Sequence, residues 1–373
     1  MKSSILIFLM GLLAVSCNQN KDSFTLNGEL RGELTEGTNV YLKKIGQNNQ
    51  PIEVDTATVQ KNGKFTFTGV ADTPELHYIF VDQLPGYTAV ILENGEIEFN
   101  AQRDSMGFAE IKGTFQNDTF SDYMEQSREL SLQAQSIQRD MQSASGETAM
   151  ALQDELKELS EEYKDFEIEF VKNHPNALIS ALVLDRAIAT KSADATEAEE
   201  LYNAFTPEIK NSSPGKKIQE GIERLKQSEE AGKKTAIGSK APEFSGPNPE
   251  GKELALSEVM GKVTLIDFWA AWCRPCRAEN PNVVAVYNKY HDKGLNIVGV
   301  SLDKTKEAWI KAIEDDGLTW NHISNIAYFD DQIAALYNVD AIPAAFLLDE
   351  NGVIVAKNLR GPALEEKVAE LLN

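Results

Sequence analysis

The sequence predicts three architectures in series: an all-β, sandwich-like domain over residues 23–115, an α-helical segment over 116–233, and an α/β domain over 236–373. Short alternating strands punctuated by Asn-Gly pairs point to the first. Two long apolar seams on steps of three and four residues point to the second. Strands alternating with helices around a Cys-x-x-Cys point to the third. At 373 residues the chain has room for two or three domains with a core in each. A net charge of -22 makes nucleic acid and anionic membrane surfaces poor partners.

At the N-terminus Lys2 precedes an apolar run from Ile5 to Val15, too short to span a bilayer and of the length of a signal-peptide core. It ends Leu13-Ala14-Val15-Ser16-Cys17, which resembles a bacterial lipoprotein lipobox, although Leu is more usual where Ala14 stands. The resemblance implies that Cys17 is lipidated and heads the mature chain. The rival is an ordinary cleaved signal with an incidental cysteine. Residues 1–17 are therefore expected as signal peptide with lipobox, and 18–22 as a polar tether.

Period-two alternation in Phe24-Thr25-Leu26 and Val40-Tyr41-Leu42 marks strands. Asn62-Gly63 and Asn94-Gly95 stand between such runs, and Asn-Gly supplies the positive φ angles of tight hairpins, so two hairpins are expected. About seven strands over this stretch suit a sandwich or open barrel. His77, in the run Leu76–Phe80, reads as a strand-surface residue and not a ligand, since no second ligand type lies nearby.

Phe120, Tyr123, Ser127, Leu130, Ala134, Ile137 and Met141 form one seam; Ala149, Leu152, Leu156, Leu159, Tyr163, Phe166 and Phe170 form another. The turn Gln142–Gly146 between them predicts an antiparallel helical hairpin. Pro175 ends the second helix, and Ala177–Ala189, Glu197–Phe205 and Gly215–Glu230 read as further helices. Two roles stay open: a spacer, or an arm that either binds clients or, by dimerisation, gives a homodimer. Gly232-Lys233-Lys234-Thr235 reads as a linker.

In the last domain the apolar strand Val263–Phe268 runs into Trp269-Ala270-Ala271-Trp272-Cys273-Arg274-Pro275-Cys276, where a helical pattern starts. That junction puts the first sulfur at a helix N-terminus, whose unpaired N–H groups favour a thiolate, with Arg274 alongside. Pro275 lacks an N–H, which costs little in a first turn. A strand over Leu295–Ser301, helices over Lys306–Asp315 and Asp331–Asn338, a strand over Ala341–Asp349, a turn at Asn351-Gly352, the strand Val353–Val355 and a helix over Pro362–Leu372 complete the order. A structural zinc site is the rival for any Cys-x-x-Cys. It would need two further ligands, but Cys17 is the sole remaining cysteine and His291 and His322 lack ligand spacing. No metal and no cofactor is expected.

Trp269–Cys276 with the later Ile342-Pro343 resembles the thioredoxin fold. Ala241-Pro242-Glu243-Phe244, Gly299-Val300-Ser301 and Phe346–Asp349 narrow the resemblance to envelope thiol-disulfide oxidoreductases of the TlpA/ResA kind, within the redoxin (AhpC/TSA-like) group. The resemblance implies a thioredoxin-like domain over 236–373 whose Cys273 is the exposed nucleophile and Cys276 the more buried resolving thiol, the two forming a redox-active disulfide. It places a buried acid at Asp267 and a second acid at Glu279, one turn beyond Cys276. A carboxyl in an apolar strand is costly to ionise, so Asp267 suits proton exchange with Cys276; the bland alternative for Glu279 is a solvated helix residue. Pro343 after Ile342 resembles the cis-proline loop, whose backbone can pair with an extended client. Ala344 stands where Thr is common in relatives. Trp269 is expected in the core and Trp272 as a partly exposed platform beside the sulfur.

The leading expectation is an envelope reductase of client-protein disulfides, re-reduced by a membrane-embedded electron donor and held to the membrane, facing the periplasm, through Cys17. An oxidase or isomerase uses the same residues in reverse, and about 30 mV of potential shifts that equilibrium tenfold. A thiol peroxidase would share the Ala-Pro-x-Phe lead-in but places a Thr where Ala270-Ala271-Trp272 stand. A redox-controlled binding lipoprotein is the non-enzymatic alternative.

Overall fold

The computed structural model describes residues 22–32, 36–46 and 50–372. The signal peptide, Cys17 and all of the tether but its last residue lie outside the described residues. By internal packing the chain divides into residues 1–222 and 223–373.

The first unit opens with β1 (Phe24–Arg31), β2 (Asn39–Ile45), β3 (Pro51–Thr58), β4 (Lys64–Gly69), β5 (Glu75–Val81), β6 (Thr88–Leu92), β7 (Gly95–Gln102) and β8 (Glu110–Lys112). They form two four-stranded sheets, ordered β4-β1-β7-β8 and β3-β2-β5-β6. Alternation turns Leu26, Phe65, Phe67 and Phe99 of one sheet and Val40, Leu42, Ile79 and Val90 of the other into one shared core.

Neither Asn-Gly pair makes a hairpin. β3 and β4 belong to different sheets, as do β6 and β7, so each turn carries the chain across the sandwich. Gly63 and Gly95 have positive φ angles of 78° and 139°, but neither asparagine does, so the type I′ geometry of a two-residue hairpin is absent. Asn94 instead spends its side-chain amide on Ala71, accepting from its N–H at 2.9 Å and donating to its carbonyl at 3.0 Å. His77 also differs from expectation. It shares the inward face with Ile79 and Val81, is only 3% exposed, and burial lowers its pKa.

The hairpin of α1 (Phe115–Met141) and α2 (Glu147–Asn173) forms as the seams predict. Ser127 and Tyr163 share a hydrogen bond of 2.8 Å across it, and the ring of Tyr123 packs on Phe166 and Phe170. A polar cluster fastens the next helix: buried Tyr123 donates to buried Glu167 at 2.8 Å, and the exposed Arg186 reaches both groups. That helix, α3 (Leu178–Ala189), is followed by α4 (Ala195–Ala204), α5 (Pro207–Asn211) and α6 (Ser213–Lys234). Gly232–Lys234, expected as linker, lie in α6, and the division between the two units falls inside this helix. A single glycine in a helix costs only about 1 kcal/mol, which its neighbours readily offset.

The second unit contains a short antiparallel pair, β9 (Ser245–Pro247) and β10 (Glu253–Ala255), then α7 (Leu256–Val259). Next come β11 (Val263–Trp269), α8 (Arg274–Tyr290), β12 (Leu295–Ser301), α9 (Lys306–Asp316) and β13 (Asn321–Ile323). It closes with α10 (Gln332–Leu336), β14 (Ala344–Leu348), β15 (Ile354–Lys357) and α11 (Pro362–Leu372). The mixed sheet runs β13-β12-β11-β14-β15, parallel through its first three strands and antiparallel thereafter. β9, β10 and β13 are too short to show a period and were not expected.

Central β11 is covered on both faces. Val263, Leu265 and Trp269 pack with Val283 and Val286 of α8 and Leu364 of α11, whereas Ile266 and Phe268 pack with Phe244, Leu256 and Tyr337. Asp267 falls between Leu265 and Trp269, on the α8 face, and that parity aims it toward the helix of the cysteines.

Close approach within this core explains one glycine. A Cβ on Gly299 would lie 2.5 Å from His322 Nδ1 and 3.1 Å from Trp269 Nε1, both in buried side chains. We expect Gly299→Ala to destabilise this unit by about 1–3 kcal/mol. Denaturant unfolding followed by tryptophan fluorescence measures it, and an unchanged midpoint would show that the His322 ring has room to move.

Candidate active site

β11 delivers the chain to the edge of the sheet and α8 starts there, so the cysteines sit at the carboxyl end of a central strand. Cys273 is the N-cap of α8: its Sγ accepts the N–H of Cys276 at 3.2 Å, and Pro275 occupies the first turn. The two sulfurs are joined as a disulfide with Cα atoms 5.3 Å apart. Cys273 does not stand exposed as expected. It is 3% exposed against 2% for Cys276, because both cysteines pack in the core with Trp269 and Ala270.

The turn before the cysteines is held from two sides. Buried Asp303, just beyond β12, accepts the Ala271 N–H with both oxygens at 3.0 and 3.2 Å and the Ser301 hydroxyl at 2.8 Å. Arg277 donates to the Ala271 carbonyl at 3.3 Å and forms a two-pronged ion pair with Asp316, which also accepts from Asn280 at 2.6 Å. Of these, Asp303, Asn280 and Asp316 stand in no motif read from the sequence. Asp303 carried a signal, an acid just past the carboxyl end of an apolar strand, where sites of open α/β sheets gather.

Behind the disulfide lies a cavity of about 20 Å³, lined by Asp267, Cys276, Glu279, Pro343 and Arg360 among others. Two acids predicted from separate elements therefore line one cavity together with Cys276. Burial raises the Asp267 pKa to about 7; Arg360 draws it down and Glu279 pushes it further up. Some Asp267 surface is still reached by solvent, but the carboxyl itself is crowded by protein. Glu279 is not a solvated helix residue: its Oε1 accepts from the Gly361 N–H and from Asn282, both at 2.8 Å. Arg360, which no motif marks, donates to the Pro343 carbonyl.

The Ile342-Pro343 bond is cis, and Pro343 shares the cavity lining with Cys276. Trp272 is 47% exposed, its indole N–H fixed on the Leu302 carbonyl at 3.2 Å, while Trp269 is buried. Cys276, Asp267, Glu279 and Pro343 thus meet at one cavity, with Cys273 bonded to Cys276, Ile342 packed against the same core, and Trp272 one residue before Cys273 on a separate groove.

Residues 237–357 match the AhpC/TSA family, and residues 24–120 match a domain of unknown function, DUF4369. The chain is similar to thiol-disulfide oxidoreductase ResA of Geobacillus thermodenitrificans, with 34% identity over 137 residues covering 37% of this chain and 76% of the relative. To ResA of Geobacillus kaustophilus it is 35% identical over 119 residues, 32% of this chain and 67% of the relative. Among solved structures it is similar to the thioredoxin domain of a thiol-disulfide oxidoreductase from Bacteroides vulgatus. Identity there is 39%, coverage 37% of this chain and 99% of that one, and the TM-score 0.35.

Proposed function

The chain belongs to the ResA-type thiol-disulfide oxidoreductases of the AhpC/TSA family, and on that premise we propose that it reduces disulfides in client proteins through the dithiol of Cys273 and Cys276. The observation that carries the reading is that Asp267 and Glu279 line one cavity with Cys276, the cysteine farther into the helix, while Cys273 caps it.

In the reduced protein the Cys273 thiolate, favoured by the first-turn N–H groups, attacks one sulfur of the client disulfide. A mixed disulfide forms and the other client sulfur leaves as a thiolate. Cys276 then gives its proton to Asp267, directly or through one water, which a cavity of about 20 Å³ admits. The Cys276 thiolate attacks Cys273 Sγ and expels the second client thiolate. Two electrons have passed to the client, and the protein is left with its disulfide closed. Glu279, held by Gly361, is the second acid of this proton path. Trp272, Ile342 and Pro343 form the surface on which the client lies, its backbone paired beside the cis-proline.

A membrane electron donor would reopen the disulfide. The leader 1–17 and lipidated Cys17 would hold the protein in the envelope, facing the periplasm; no helix among the described residues is long and apolar enough to cross a membrane. In chain order the sandwich 23–115 and the helices 116–233 would stand between that anchor and the redox domain 236–373. Incorporation of labelled fatty acid, lost in Cys17→Ser, tests the anchor.

Direction is tested by equilibrating the protein with a glutathione redox buffer and reading the disulfide fraction. A potential near that of thioredoxin, about -270 mV, supports a reductase. A value near about -120 mV, where the strong oxidant DsbA lies, would make the protein an oxidase.

A further inference from the structure

We infer that the groove beside Trp272, on its Lys304 side, is a client subsite that takes an acidic side chain adjacent to the client cysteine. The inference deepens the reductase reading and rests on it.

The groove has a volume of about 380 Å³, within the range of ligand-sized clefts, and Ala271, Trp272, Asp303, Lys304, Thr305 and Tyr328 line it. Its wall is aromatic: the Trp272 ring lies 5.2 Å from Tyr328 and 6.1 Å from Phe329. Tyr328 opens a short 3-10 helix, Tyr328–Asp330, and the chain enters it in an uncommon backbone state. Ile326 and Tyr328 have φ of 57° and 54°, and for a β-branched isoleucine that region is a genuine outlier. Such strain persists only where the surroundings over-determine it. Here Ser324 donates to the Ser301 carbonyl at 2.8 Å and accepts the Ile326 N–H at 3.2 Å, while Asn325 donates to Asp331 at 3.0 Å.

Two charged residues line the groove, and they differ in availability. Asp303 is 1% exposed, with its oxygens engaged by Ala271 and Ser301. Lys304 is exposed, its ammonium 4.1 Å from the centre of the Tyr328 ring, and among the described residues no carboxylate pairs with it. The charge left for a visitor is positive and lies over an aromatic face. An acidic side chain matches both, its methylene stem on the rings and its carboxylate at Lys304. Trp272 is the residue before Cys273, so a side chain in the groove belongs to client sequence next to the attacked sulfur.

The test uses the full chain and three peptides, each with one internal disulfide, that differ only in Glu, Gln or Lys beside the attacked cysteine. The readout is the ratio of kcat/KM for the Glu peptide to that for the Lys peptide. For the wild-type chain we expect about fivefold or more, fading at high salt, as for an exposed ion pair. Lys304→Gln should bring the ratio toward one, and Lys304→Glu should invert it. A ratio unmoved by Lys304→Glu overturns the subsite, as does wild-type reduction of all three peptides at one rate. Reduction of none of them brings down the reductase reading and the subsite with it.

Discussion

Cys276→Ala is expected to convert a turnover enzyme into a covalent trap. With no second thiol to attack Cys273 Sγ, the mixed disulfide stalls, and client protein stays attached until external thiol releases it. Cys273→Ser should lose disulfide reduction by on the order of 10³-fold or more, as when other enzymes lose their nucleophile, and should trap nothing. The assignment does not rest on exposure, since the two cysteines are 3% and 2% exposed in the disulfide form. It rests on position: Cys273 Sγ faces the helix N-terminus and accepts the Cys276 N–H, an interaction that strengthens when that sulfur is ionised. Mass spectrometry of each variant after reaction with a disulfide-bonded client decides the matter. Adducts on Cys273→Ser and none on Cys276→Ala would reverse the roles.

What could be read before folding, and what could not, divides along physical lines. Helical seams such as Tyr123–Ser127 and Tyr163–Phe170 repeat often enough to declare themselves, and the hairpin they form is the one expected. The Asn-Gly pairs show the limit of local chemistry. The glycines do take positive φ, but whether the next strand returns beside its predecessor or crosses to the other sheet depends on burial of Phe65, Phe67, Ile97 and Phe99 on the facing sheet. The active site divides in the same way. Cys273, Cys276 and Glu279 are joined by helix spacing and Asp267 by strand parity, so a motif reading reaches them. Arg360 and Lys304 arrive on loops, one after β15 and the other after β12, and only the order of strands in the sheet brings the first to Cys276 and the second to Trp272. A lone basic residue in a loop carries no periodicity to announce that.

Asp267→Asn should stabilise the oxidised redox domain and slow its chemistry, with a pH dependence whose sign is set in advance. An unfolded Asp titrates near 3.9, and folding raises Asp267 to about 7, with burial as the main cause. Between those values the folded chain holds a proton that the unfolded chain has released. Stability therefore falls as pH rises through this window, and the full penalty is present above pH 7. A shift of this size corresponds to about 4 kcal/mol, and residual solvent contact at Asp267 reduces it to about 3 kcal/mol. Asparagine carries no such penalty, so the gain in Asp267→Asn should be near zero at pH 4, grow through pH 6 and level off near pH 8. Trp269, Trp272, Trp309 and Trp320 are the only tryptophans of the chain and all lie in this unit, so their fluorescence follows its unfolding. Arg360→Ala should move the window upward, since the guanidinium favours the carboxylate, and Glu279→Gln should move it downward by removing a like charge. In single-turnover reaction with a client disulfide, the resolving step of the wild type should show an inflection near pH 7 that Asp267→Asn lacks. A stability gain equal at pH 4 and pH 8 would mean that Asp267 keeps an ordinary carboxyl pKa in the folded protein. The proton from Cys276 would then have to leave by way of Glu279.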